Sequence, residues 1–142
     1  MVTIFEEIVT KFETDFPEIK LVDWDKGQMN FERPPIVFPA ALIKIQVVES
    51  DNLNDTKQLV NAHVIIKLCY DFTGQTHNAT PKAVRAESMK YLETSNKVFT
   101  KFQGWRGEEF NPLARINCFD EDRPDSYKTN ITTFKTAYHE SV

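Results

Sequence analysis

The order of its patterned segments constrains this chain most. An amphipathic helical stretch opens it, alternating segments follow, a second helical stretch runs to Gly104, and two further alternating segments close it. Phe5, Ile8, Val9, Phe12 and Phe16 recur at helical spacing, with Glu6, Glu7, Lys11 and Glu13 on the other side and Pro17 as the stop. Thr3-Ile4-Phe5-Glu6 reads as a capping box, the Thr3 hydroxyl accepting a first-turn N–H while Glu6 reaches back. Thr80 reads as the cap of the second helix, with Pro81 in its first position, where a missing N–H is harmless. Val84, Tyr91, Leu92, Val98, Phe99 and Phe102 share one face of that helix with Ser88 and Ser95. Lys82, Lys90, Lys97 and Lys101 gather opposite, joined by Glu93.

Ile19–Trp24 alternates as a short strand, and Asp25-Lys26-Gly27-Gln28 supplies a turn. In the run Ile36–Val47, Ile43, Ile45 and Val47 line one face and Lys44 and Gln46 the other; Pro39 places its start at a sheet edge. His63–Phe72 is the cleanest strand, with Val64, Ile66, Leu68, Tyr70 and Phe72 pointing one way. Between these two strands, Glu49–Gln58 is polar and acidic and predicts a mobile hairpin loop. Thr73–Ala79 is a second loop. Leu113–Phe119 and Tyr127–Tyr138 are the closing strands, joined by an acidic turn over Asp120–Asp125. The expectation is an α+β fold of order α-β-β-β-α-β-β, a mostly antiparallel sheet with both helices packed on one face. Residues 1–142 make one domain, a length that buries a core without staples.

The chemistry-bearing residue types do not converge. His63, His77 and His139 share no ligand spacing, so no metal site is expected. The acidic cluster Asp120, Glu121, Asp122 and Asp125 lacks the glycine-punctuated loop of a calcium hand and reads as a solvated hairpin tip. No serine sits in a nucleophile elbow, no glycine-rich loop cradles phosphate, and Cys69 and Cys118 read as buried, reduced thiols. The chain is therefore read as no enzyme, with no cofactor. A net charge of −4 argues against a dedicated nucleic-acid binder, and the lysine stripe is the solvated side of an amphipathic helix. No apolar run reaches membrane-spanning length and Met1-Val2-Thr3-Ile4 lacks a signal-peptide layout, so no membrane contact is expected.

Two segments point to assembly. Arg33, Pro34 and Pro35 lead rigidly into apolar Ile36-Val37-Phe38-Pro39, which either presents a surface or enters the core. The last strand places Thr129, Ile131, Thr133 and Lys135 on one face, a β-prone but partly apolar pattern that suits a solvated face or a subunit edge. The subunit edge is the favoured reading, and these residues with Arg33, Pro34, Pro35 and Phe38 form the expected oligomer interface.

This order of elements resembles the tail-terminator (tail-completion) proteins of long-tailed bacteriophages and prophages across nearly the whole chain. Phe16-Pro17, the segment Arg33-Pro34-Pro35-Ile36-Val37-Phe38-Pro39-Ala40-Ala41-Leu42-Ile43, and Thr132-Thr133-Phe134-Lys135-Thr136 look like small tail-region proteins of phages infecting Bacteroidetes-type hosts. The resemblance implies a homo-oligomeric ring, usually hexameric, that caps the tail tube, stops its growth and joins it to the head connector. It implies a virion protein of the tail or neck, assembled in the host cytoplasm, without catalysis. Two other roles stay open: a head-completion or connector-adaptor subunit, and a small host partner-binding module. In a ring, DNA passes the lumen without specific binding, so Glu49, Asp51 and Asp55 with Asp120, Glu121 and Asp122 are its expected acidic lining.

Overall fold

A five-stranded mixed sheet, of order β1-β2-β3-β5-β4, organises the molecule. Its strands are β1 (Leu21–Trp24), β2 (Ala40–Asn54), β3 (Lys57–Asp71), β4 (Ala114–Asp120) and β5 (Tyr127–Ser141). The helices are α1 (Val2–Asp15), α2 (Lys82–Ser88) and α3 (Lys90–Phe102). The computed structural model describes residues 1–71, 74 and 76–142. Phe72, expected to end the third strand, and Thr73 and Gln75 of the loop after it lie outside the described residues. The α+β class and the mostly antiparallel sheet are as expected; β1 adds a parallel pair with β2, Leu21 opposite Ala40.

The period-two pattern of β3 sets the layers. Val60, Ala62, Val64, Ile66 and Leu68 are buried on one face with Ala41, Ile43 and Ile45 of β2 and Phe134 and Tyr138 of β5. α1 and α3 cover this face. Ile4, Ile8, Phe12 and Phe16 meet Val98 and Phe102 there, and the rings of Phe12 and Phe102 lie 5.2 Å apart. Among the described residues, the opposite face is covered at one end, where residues 25–39 fold back over Ala40, Leu42 and Cys69, with Met29 buried between. Cys69 is buried, as expected, and burial pushes its thiol up to about 12, which leaves little thiolate to react.

Local capping differs from expectation. Met1, not Thr3, precedes α1, and no side chain caps it; Thr3 lies inside the helix. Pro81 rather than Thr80 is the cap of α2, and the Thr80 hydroxyl is buried with no partner among the described residues. The second helix is two helices. Ser88 Oγ donates back to the Val84 carbonyl at 2.9 Å, a local bond that competes with the helical ladder, and the chain bends at Met89. The break leaves Val84 46% exposed although its spacing assigns it to the core face. Gly104 takes φ +75 after α3 and donates its N–H to the Leu113 carbonyl, the left-handed turn its glycine permits.

The largest correction is Glu49–Gln58. It is no isolated loop: β2 runs to Asn54, β3 starts at Lys57, and only Asp55 and Thr56 turn between them. Asn54 Oδ1 accepts the Thr56 N–H at 2.9 Å, the side-chain turn that closes the hairpin. Both faces of this hairpin are in water, so its polar sequence carries no alternation although its arms pair with each other, with an irregularity at Leu53.

Candidate functional site

β5 is not a sheet edge. It lies between β3 and β4, pairing from Lys57 opposite Ser141 to Asp71 opposite Tyr127, and with β4 from Ala114 opposite Lys135. Thr129 and Thr133 are buried, Ile131 is half-buried and only Lys135 is exposed. The Thr129 hydroxyl donates to Glu121 Oε1 at 3.1 Å. The threonines face away from the helices on an interior strand, where their β-branched shape suits the pleat and their hydroxyls tolerate a thinly covered surface. The expected interface on Thr129, Ile131, Thr133 and Lys135 is thus misplaced as an edge.

The proline segment divides. Pro34 is buried, and half-buried Ile36 and Phe38 pack against the second core cluster of Met29, Ala40, Leu42 and Cys69, Phe38 stacking on Tyr127 at 5.2 Å between ring centres. Arg33, Pro35, Val37 and Phe31 stand exposed beside it. Pro39 sits just before β2, whose first residues pair on both sides, so the start of that strand is interior rather than an edge.

The acidic residues do not converge either. Glu49, Asp51 and Asp55 are exposed on the β2–β3 hairpin, while Asp120, Glu121 and Asp122 lie towards the other end of the sheet, roughly 20–40 Å further along at a strand's rise of about 3.3 Å per residue. Asp120 is engaged, accepting from Tyr91 Oη at 2.9 Å and from Asn130 Nδ2 at 2.9 Å. Glu121 pairs with Arg123 at 2.9 Å; Asp122 is exposed. Among the described residues no three His, Cys, Asp or Glu side chains group to hold a metal ion. The lysine stripe faces solvent as expected at Lys82, Lys90 and Lys101, but it is interrupted: Lys82 is on a separate helix, Lys90 pairs with Glu87 at 2.8 Å, and Lys97 pairs with Glu18 and lies 4.7 Å from the Phe16 ring centre. Cys118, expected to be buried, is exposed on β4, its sulfur 3.4 Å from Ser95 Oγ.

What the structure does bring together is two open sheet edges. β1 covers β2 only from Ala40 to Ile43, so Lys44–Asn54 is a free edge carrying exposed Val47, Val48 and Leu53. β4 is the other edge; Arg115 to Phe119 are all exposed, Ile116 by 47% and Phe119 by 51%. Open strand edges beside exposed apolar side chains are a ready template for another strand, although on β4 Gln103 Oε1 already accepts the Arg115 N–H at 2.8 Å. Sequence pattern cannot reveal this, because an edge is defined by which strands fail to arrive. No family model matches the chain, and neither does any curated protein. No helix among the described residues is long and apolar enough to cross a membrane.

Proposed function

We propose that the chain is a ring-forming structural subunit of a phage tail or neck, a tail terminator that caps the tail tube and joins it to the head connector. The two unlike open edges of its sheet carry this reading. An edge of β2 that receives the β4 edge of a neighbour makes a head-to-tail contact, and such contacts close into a ring when the rotation per subunit divides a full turn. Exposed Val47 and Val48 on one edge and Ile116 and Phe119 on the other supply apolar surface for that joint. Glu49, Asp51 and Asp55 would then keep a passing polyanion mobile by like-charge repulsion, whereas Asp120 and Glu121 are held by Tyr91 and Arg123.

Native mass spectrometry and sedimentation of the full chain test this reading. A closed ring of one size is expected. A monomer at all concentrations would overturn it and favour a module that receives a single strand from a host partner.

A further inference from the structure

A groove of about 1340 Å³ runs between α1 and the loop of residues 105–111, at the end of β5. It is larger than the roughly 300–1,000 Å³ of ordinary small-molecule sites, a size that suits a chain segment. Glu7 and Tyr138 both line it. Glu7 Oε1 accepts the Glu108 N–H at 3.1 Å, while Oε2 is buried with no partner among the described residues. Gly107 permits this approach, because a Cβ there would strike Glu7 Oε2 and the Phe110 ring. Tyr138 is 7% exposed and its hydroxyl is likewise buried with no partner. Each of these two lining residues thus keeps a buried oxygen without a partner among the described residues, a costly arrangement unless something supplies donors.

The chemistry of those donors follows from the wall. A carboxylate only accepts, and a phenol accepts as well as donates. Five lining residues carry carboxylates against two cations, Lys11 and Arg106, and Lys11 is already held by Asp15 at 3.0 Å. Trp105 adds an aromatic surface that attracts positive charge, as Lys11 Nζ 5.0 Å from its ring centre demonstrates. A planar guanidinium matches this combination: it stacks on aromatic rings, carries charge that the carboxylates complement, and offers several N–H donors to a groove whose lining holds unpartnered acceptors. We propose that this groove docks an arginine side chain borne on an extended segment of a partner protein. The inference stands whether or not the chain closes into rings.

Nitrogen-15 NMR of the full chain, titrated with the tripeptide acetyl-Ala-Arg-Ala-amide and with its neutral citrulline counterpart, tests it. Saturable shifts at the Trp105 indole and at the Gly107 and Glu108 amides are expected with the arginine peptide. Binding should weaken about tenfold with citrulline and about tenfold in Glu7→Gln, the size expected for losing one charged hydrogen bond. Tyr138→Phe keeps the ring and should weaken binding severalfold, and it decides the matter if Glu7→Gln does not fold. Equal affinity for both peptides, no saturable shift at these groups, or unchanged affinity in the folded variants would overturn the proposal. Acetyl-arginine-amide binding as tightly as the tripeptide would replace the protein segment with a free small cation and overturn the docking role.

Discussion

Arg123 donates through Nη2 to the Met29 carbonyl at 2.7 Å, across 94 residues of sequence. The same guanidinium reaches Asp125 through Nε at 3.0 Å and Nη2 at 2.6 Å, and Glu121 through Nη1 at 2.9 Å. It therefore ties the acidic turn after β4 to the short helical turn of residues 28–30 that covers the second core cluster. The acidic turn is not a freely solvated tip, because an internal cation organises it.

Removing that cation should loosen the back of the sheet. Arg123→Ala is expected to cost about 2 kcal/mol, the scale of hydrogen bonds to a charged group. Arg123→Lys should recover little, since an ammonium cannot span Met29 and Asp125 in one plane. Urea midpoints read both; an alanine variant as stable as the parent would show the clamp to be incidental.

Acid should weaken the same region. The hydrogen bonds from Arg123 hold the Asp125 carboxyl below its usual range, and those from Lys11 do the same for Asp15. Their folded forms bind protons less readily than the unfolded chain, so the stability they add is present above about pH 4 and is lost as pH falls through the lowered values. Stability measured from pH 6 to pH 2 should drop less steeply in Asp125→Asn than in the parent.

Tyr91 gives a test of the opposite sign. Burial, aided by its hydrogen bond to Asp120, pushes the phenol up to about 12. A raised folded value means that the contribution is present below the unfolded tyrosine range near 10 and is lost as pH rises towards 12. Ultraviolet titration of Tyr91→Phe should remove one late-ionising phenol; loss of an early-ionising one would contradict the geometry.

The aromatic junction under the helices should dominate stability. Phe12 is fully buried against Phe16, at 4.7 Å between ring centres, and Phe102. Phe12→Ala should cost roughly 3–5 kcal/mol through lost burial and a residual cavity. A thermal shift of only a degree or two would mean that the helices repack.

Edge and interior strands should respond differently. Val48→Lys and Leu53→Lys place charge on a free, exposed edge, and should leave the monomer folded while reducing assembly. Thr133→Pro, on buried interior β5, should instead impair folding itself. If the lysine variants assemble normally, the β2 edge is not the joint.

The sequence by itself determined the elements that have one wet and one dry face. Phe5, Ile8 and Phe12 at helical spacing, and Val64, Ile66 and Leu68 at strand spacing, each report a local periodicity that burial on one side imposes. α1, most of α3, the centre of β3 and the α+β class follow from that. Tertiary structure decided everything that depends on neighbours. The hairpin of residues 49–58 is wet on both faces, so its strands show no alternation, and only pairing with β3 defines them. Tyr127–Ser141 is interior because β4 returns beside it, an event that no residue in β5 encodes. Arg123 finds Met29, and Glu7 finds the Gly107–Glu108 loop, across about a hundred residues, because the sheet brings distant ends of the chain together. Periodicity records which side of an element is dry, but contacts between elements are set by packing, and the candidate sites of this protein lie at such contacts.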